Sequence, residues 1–352
     1  MSQTSVHEDV VIRRGRRSGL PLIVAVHSRT LGPAVGGCRL RRYAHWREGL
    51  TDALRLSEAM TYKAAVAGLD FGGGKSVIAL EQDTDLTPQL RRAALEDLGE
   101  LIASFDGSYR TGPDVGTGPD DMVVLRRFSP YAYCAPEEHG GTGDSGGPTA
   151  VGVLAALHAG ARHVFGTASC AGRTVVVSGF GSVGGRIASG LAAEGAHVVV
   201  SDVDASREQA ALAGGYGWVE PGQALSAPAD ILVPAAVGGV LSEASVPTIG
   251  ARLVVGPANN QLTEETVADT LAQRDIVWIP DYVAGAGGIA YALGREAEGE
   301  SHEAARKRVE GIGATVSRVL DLSRSTGTTP LEAARRIAED RLDAAVPRTR
   351  TA

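Results

Sequence analysis

The chain has 352 residues, 43% hydrophobic and 21% charged, with a net charge of −7. That length suits two domains and a core needing no disulfide or metal staple, and the acidic balance argues against a nucleic-acid partner. The three cysteines, Cys38, Cys134 and Cys170, give neither a disulfide framework nor a zinc pattern, and no run is apolar enough to span a bilayer.

The opening stretch MSQTSVHEDVV lacks a charged region followed by an apolar run. No signal peptide is expected, and a cytoplasmic protein with free thiols follows. Arg13, Arg14, Arg16 and Arg17 flank Gly15 between VVI and LPLIVAV and read as a solvated hairpin turn. Segments 20–27 and 34–40, rich in apolar and β-branched residues, predict strands. From Trp46 to Val66, Leu50, Ala53, Leu54, Leu56 and Met60 recur at helical spacing, so a helix carries Lys63 near its end. Gly72-Gly73-Gly74-Lys75-Ser76 follows, then a short strand over 77–80. Thr87 with Pro88 opens a helix to about residue 103, and 109–115 is an extended piece ending in Gly112-Pro113-Asp114.

The run HGGTGDSGGP, 139–148, reads as a hinge or phosphate-facing loop between domains. Beyond it, helices over 151–164 and 182–193 alternate with strands over 174–178, 196–202, 231–234, 253–255 and 276–279. This rhythm predicts a parallel, doubly wound sheet. The segments 303–322 and 330–345 are helical and charged.

The basic residues carry a bias. Of 34, only three are lysines, at 63, 75 and 307. Arginine cannot lose its proton near neutral pH, whereas a desolvated lysine, or one beside another cation, can. A retained lysine therefore points to a place where arginine cannot serve.

Gly179-Phe180-Gly181-Ser182-Val183-Gly184 is a GxGxxG motif. The apolar run TVVVS precedes it, an amphipathic helix follows, and Asp202 ends the next strand. That context is the dinucleotide fingerprint: glycines admit a pyrophosphate at a helix N-terminus, and an acidic residue accepts from the adenosine ribose. Asp202 would repel a 2′-phosphate, so NAD is expected over NADP.

Met60-Thr61-Tyr62-Lys63, Gly72-Gly73-Gly74-Lys75-Ser76 and Gly112-Pro113-Asp114-Val115-Gly116-Thr117 closely resemble the glutamate/leucine/phenylalanine/valine dehydrogenase family. So do Leu31-Gly32-Pro33-Ala34-Val35-Gly36-Gly37, Pro257-Ala258-Asn259-Asn260 and Pro280-Asp281-Tyr282-Val283. The resemblance implies an α/β protein of two domains with a cleft between them. An N-terminal substrate-binding and catalytic domain, 1–138, would be completed by C-terminal helices over about 325–352. A Rossmann NAD domain would span 139–324. It implies reversible oxidative deamination of an L-amino acid to the 2-oxo acid and ammonia, in a homo-oligomer.

By the same resemblance Lys63 binds the substrate carboxylate with backbone at Gly36 and Gly37, Lys75 is the base that activates water, and Asp114 relays protons. A free lysine, with a pKa of about 10.4, is a poor base, so Lys75 must be lowered by a dry site or a nearby cation. Around the dinucleotide the resemblance places Arg39, Ser145, Thr149, the loop 179–185 through Gly185, Asp202, Val203, Ala236, Val237 and Asn259. Helix capping is a compatible reading of Ser145 and Thr149, and Asn259 is also within the expected substrate set. Metal catalysis is not expected, since there is no HExxH motif and no clustering of ligands along the chain.

For the substrate side chain the matching positions are Val35, Gly112, Val115, Ile289 and Ala292. Gly112-Pro113 looks like phenylalanine members; the Met60–Lys63 and Asp114–Thr117 motifs look like valine and leucine members. A branched-chain substrate is the first expectation and an aromatic one the alternative. Two positions depart from the family: Gly285 stands where Asn usually precedes Ala-Gly-Gly, and Gly37-Cys38-Arg39 replaces Gly-Gly-Thr-Arg. The loss of Asn keeps open a catalytically silent, NAD-binding regulator. A hydroxy-acid enzyme would want a His–Asp or Arg pair, and no His falls in a motif.

Overall fold

The computed structural model describes residues 7–345, and the chain divides into two compact units. Residues 1–6, part of the start read above, and 346–352, the end of the expected 325–352 segment, lie outside the described residues. The first unit runs to Asp144 and takes in 295–299 and the chain from Ala338; the second holds 145–294 and 300–337.

The first unit contains β1 (Asp9–Arg14), β2 (Pro21–Ser28), β3 (Ala34–Val35), β4 (Cys38–Tyr43), α1 (Trp46–Val66), β5 (Gly72–Glu81), α2 (Pro88–Ala103), β6 (Tyr109–Arg110) and α3 (Pro119–Arg126). The sheet order is β1-β2-β5-β3-β6, with β4 also on β5. β1, β2 and β5 run antiparallel in turn, whereas β3 and β4 lie parallel to β5. The central strands are buried on both faces. Leu22, Val24 and Val26 of β2 pack toward α2 with Leu95, Leu98 and Leu101. Ile23 and Ala25 face the other way, with Val77, Ala79 and Ala53 of α1. That two-sided burial explains a continuous apolar run where a half-exposed strand would alternate.

The strand around Lys75 begins earlier than expected, at Gly72 rather than 77. Glycine is a poor strand former, but here tertiary packing requires it. A Cβ on Gly73 would lie 2.2 Å from the backbone nitrogen of Thr61, so α1 can rest on β5 only where the side chain is absent. Likewise the predicted strand 34–40 is broken into β3 and β4 at Gly36-Gly37. A Cβ on Gly36 would fall 1.7 Å from the Gly74 carbonyl oxygen.

The second unit contains α4 (Gly146–Phe165), β7 (Thr174–Ser178), α5 (Ser182–Ala193), β8 (His197–Ser201), α6 (Arg207–Ala213), β9 (Gly217–Trp218), β10 (Ile231–Pro234), β11 (Leu253–Val254), α7 (Val267–Gln273), β12 (Val277–Trp278), α8 (Asp281–Ala284), α9 (Gly287–Ala292), α10 (His302–Glu310) and α11 (Ile312–Thr326). α12 (Pro330–Ala345) begins here and from Ala338 belongs to the first unit, where Arg341 donates to the carbonyls of Ala65 and Leu69 at 3.0 and 2.8 Å. All strand pairs are parallel, in the order β12-β11-β10-β7-β8-β9. This is the doubly wound dinucleotide-binding topology, with its switch point between β7 and β10. The helix predicted over 303–322 is two helices joined at Gly311, a residue of low helix propensity. The glycine-rich run 139–148 is tied down in its first half. Gly141 and Gly143 donate to Pro136 and Ala135, and Thr142 donates to Glu296. Among the described residues no helix is long and apolar enough to cross a membrane.

Candidate active site

Lys75 sits mid-way along β5, paired with Ala25 of β2, and is 4% exposed. Its Nζ lies 3.1 Å from Asp114 Oδ1. The other oxygen, Asp114 Oδ2, accepts from Arg39 Nε at 2.7 Å. Two cations thus share one carboxylate in a buried setting. Burial pushes the Lys75 ammonium below its ordinary value; Asp114 opposes this, Arg39 adds to it, and the lowering wins. Burial works to raise Asp114, but the charges of Lys75 and Arg39 outweigh it and hold the carboxyl below the usual range. Asp114 is positioned by its own turn: its N–H donates to Thr117 Oγ1, which in turn donates to the Cys38 carbonyl.

Arg39, expected beside the dinucleotide, lies on β4 in the first unit and is itself buried. Its Nη1 donates to Asp52 Oδ2 at 2.8 Å, and the same oxygen accepts from Tyr43 OH at 2.8 Å. Arg55 reaches Asp52 Oδ1 at 3.0 Å. Asp52, Arg39, Asp114 and Lys75 therefore form one chain of alternating charge. Neither Asp52 nor Tyr43 was identified from sequence. The one available signal was an acidic side chain on α1 next to the buried Ala53 and four residues before the buried Leu56.

Lys63 occupies the last turn of α1 and is partly exposed. The Gly36 N–H, expected to help hold a carboxylate, already donates to the Arg110 carbonyl at 3.2 Å. Gly37 is pressed against Asp114: a Cβ there would lie 2.8 Å from the Asp114 Cβ. Val35 is buried in β3, Gly112 is partly buried with only Tyr133 O within 4 Å of an ideal Cβ, and Val115 is exposed.

In the second unit the loop after β7 has the expected form. Gly179 holds φ +118, a region side chains avoid, and a Cβ on Gly184 would lie 1.9 Å from the Gly179 carbonyl oxygen. Gly181 precedes the first turn of α5, with Ser182, Val183 and Gly185 following on the helix. Asp202 stands just beyond β8. Its Oδ2 accepts from Phe180 N and from Arg207 Nη1, both at 2.8 Å, and Oδ1 accepts from Asp204 N at 3.0 Å. Burial acts to raise Asp202, and these bonds with the Arg207 charge hold it low instead. Arg207, missed in the sequence, thus shares the acidic residue of the fingerprint. Val203 and Val237 are exposed beside this region, and the Ala236 backbone nitrogen is 2.6 Å from where a Gly179 Cβ would be. Asn259 is exposed after β11, where Gly239 N bonds to Asn260 O.

Ser145 occupies the N-cap position of α4 without a side-chain cap bond. Its Cβ and the Thr149 hydroxyl lie 2.9 and 2.8 Å from an ideal Cβ on Gly288, at the start of α9. Ile289 is partly exposed on that helix, and Ala292 is buried at its end.

Residues 2–129 match the Glu/Leu/Phe/Val dehydrogenase dimerisation domain, and 203–345 match the Glutamate/Leucine/Phenylalanine/Valine dehydrogenase family. The chain belongs to this family. It is similar to phenylalanine dehydrogenase of Caldalkalibacillus thermarum, 37% identical over 97% of this chain and 92% of that one. It is equally similar to leucine dehydrogenase of Bacillus cereus, 37% identical over 96% and 91%. Among solved structures, L-tryptophan dehydrogenase from Nostoc punctiforme superposes with a TM-score of 0.83 at 33% identity, covering 97% of each chain. The protein is thus an NAD-dependent amino-acid dehydrogenase that oxidatively deaminates its substrate, and the silent-regulator alternative falls away.

The second unit of this dehydrogenase fits NAD. The glycine cradle would be filled by any side chain at 184, the N-terminus of α5 faces it, and Asp202 lies at the end of the adjacent strand. The Gly285 departure is not a backbone requirement. Gly285 caps α8 with φ −83 and ψ 13, an ordinary conformation for any residue. What differs from the family is the missing side chain.

Proposed function

We propose that this dehydrogenase acts on an apolar L-amino acid, branched-chain ahead of aromatic, with Lys75 as the general base. The observation that carries the reading is the Lys75–Asp114 pair with Arg39 beyond it: a buried lysine whose pKa burial holds below its ordinary value, with a carboxylate 3.1 Å away. The loop 179–185 and Asp202 would hold NAD, which would supply the hydride acceptor for the amino-acid α-carbon. Lys63 holds the substrate carboxylate. Lys75, neutral, takes a proton from the water that attacks the imine carbon. Asp114, which first takes the ammonium proton so that the neutral amine can lose the hydride, passes protons on to the departing nitrogen. Lys75, neutral again, takes the carbinolamine hydroxyl proton as ammonia leaves and the 2-oxo acid forms. Each step reverses. A carboxylate between two cations can exchange protons with Lys75 without leaving an isolated buried charge.

The apolar preference is supported by the buried Val35 and by the relatives' phenylalanine, leucine and tryptophan activities. Gly112, Ile289 and Ala292 complete the proposed selectivity set. An aromatic substrate is the second reading, favoured by the space at Gly112. Pocket methylenes discriminate by only about 1–3 kcal/mol, so the ranking rests on few atoms. We also propose Asn259 as a contact to substrate and cofactor, and Ser145, Thr149, Val203, Ala236 and Val237 as cofactor contacts, in a cytoplasmic homo-oligomer.

The test is NADH formation with valine, leucine, phenylalanine, tryptophan and glutamate, on the wild type and on Lys75→Ala, Lys75→Arg and Lys63→Ala. Both Lys75 variants should lose turnover while still binding NAD, and Lys63→Ala should chiefly raise the amino-acid KM. An active Lys75→Arg would exclude the base role, since arginine cannot be the base. Glutamate as best substrate would overturn the apolar reading.

A further inference from the structure

Away from the reaction residues, three side chains of different chemistry converge within the second unit. His158 stands on α4, Cys170 in the turn leading to β7, and Glu194 at the C-terminal cap of α5. Their imidazole, thiol and carboxylate ligand atoms all lie within 4.8 Å of one another. His158 Nε2 and Glu194 Oε2 are 2.9 Å apart, and each side chain is about one-third exposed, at 34% and 35%. Cys170 is fully buried.

A surface His–Glu pair accounts for two of the three groups. It does not account for a buried thiol brought to the same point, whose other polar contact is a weak 3.9 Å approach to the Ala168 carbonyl. We propose that His158, Cys170 and Glu194 bind a borderline-soft divalent cation of the zinc class, with solvent as fourth ligand. The donor set selects the ion. Magnesium and calcium take oxygen ligands, whereas thiolate with imidazole and one carboxylate suits zinc. Metal–ligand bonds of about 2.0–2.3 Å require the donors to stand roughly 3.5 Å apart, so no pair has to close by more than about 1.3 Å. Rotation of the partly exposed His158 and Glu194 side chains would supply that movement.

On binding, the S–H bond breaks, a sulfur–metal bond forms and the proton passes to solvent. The imidazole nitrogen and carboxylate oxygen replace two of the ion's waters, and nothing is oxidised or reduced. Burial pushes the thiol up to about 11, with the Glu194 charge adding to it, so the ion itself displaces the proton. The carbonyl end of α5 favours a cation. The neighbouring cation, Arg173, is stacked on Phe165 and lies 3.9 Å from Asp230. A bound ion would join α4, α5 and the entry to β7, stabilising this unit without entering the reaction.

The experiment titrates reduced, chelator-treated full-length enzyme with Co²⁺ and then displaces it with Zn²⁺. One cobalt per chain is expected, with a thiolate-to-cobalt band in the near ultraviolet and a tetrahedral visible spectrum. Cys170→Ser should abolish the near-ultraviolet band, and Cys134→Ser should keep it. His158→Ala and Glu194→Gln, at partly exposed positions, should each weaken binding at least about tenfold, or ~1.4 kcal/mol. Zn²⁺ should raise the melting temperature of the wild type and not of Cys170→Ser, with metal-free turnover unchanged in both. A band that survives Cys170→Ser, or affinity unaltered by both His158→Ala and Glu194→Gln, would overturn the site.

Discussion

Lys75 is the residue on which the proposed chemistry turns, and its state depends on neighbours that sequence does not display. Burial lowers it, Asp114 resists, and Arg39 adds to the lowering. If the neutral amine is the working form, kcat/KM for the amino acid rises with pH through the Lys75 pKa. Arg39→Gln removes a cation and leaves Asp114 a stronger partner for Lys75. Both effects raise the Lys75 pKa, so the ascending limb should move to higher pH. A limb that stays put or moves lower would separate Arg39 from the proton transfer. Asp202 carries the corresponding argument for the cofactor. Its Oδ2 is shared by Phe180 N and Arg207, while Oδ1 accepts one backbone N–H and keeps capacity for a ribose hydroxyl. Asp202→Ala removes the repulsion toward a 2′-phosphate and releases Arg207 to meet it. The NADP/NAD ratio of kcat/KM should rise by about tenfold, ~1.4 kcal/mol; an unchanged ratio would count against the ribose role.

At the scale of elements, packing overrode local preference in the Gly72–Ser76 run, which forms the first half of β5 because α1 lies against it. The arginine-rich hairpin between β1 and β2 shows a second such dependence. Its turn is fastened to α2 by Asp97, which accepts from Ser18 N and Ser18 Oγ at 2.8 Å each and from Arg17 Nη1 at 3.0 Å. Burial acts to raise the Asp97 carboxyl, but these bonds outweigh it and hold it below the ordinary range. Asp97→Asn keeps the size and should cost about 2 kcal/mol at neutral pH, read by urea unfolding. Because the folded carboxyl is depressed, its contribution is present above its unfolded pKa of about 3.9 and lost as pH falls through the folded value. The gap between wild type and Asp97→Asn should therefore narrow below about pH 4. A gap constant with pH would mean the carboxylate charge contributes nothing to fastening the turn.

For the whole molecule, β1 is an edge strand among the described residues, with Val10 and Ile12 exposed at 42% and 44%. A strand edge carrying exposed apolar side chains invites pairing with another chain, and this unit matches a domain described as a dimerisation domain. Val10→Lys with Ile12→Lys should shift sedimentation to a smaller species with unchanged circular dichroism. Persistence of the larger species would exclude β1 as the contact.

Sequence by itself determined the helix Trp46–Val66, the strand Thr174–Ser178, the helix Ser182–Ala193 and the fingerprint loop between the last two, because periodicity and turn chemistry are local. It also marked Lys63, Lys75 and Asp114, since a motif keeps residue types in a fixed order along the chain. Only the tertiary structure decided that Gly72–Gly74 is strand, that Gly36 spends its N–H on Arg110, and that Arg39 bridges Asp52 to Asp114. The same holds for His158, Cys170 and Glu194, which converge from three separate elements. These are contacts between residues distant in sequence, and desolvation and charge pairing depend on distances in space that residue order does not contain.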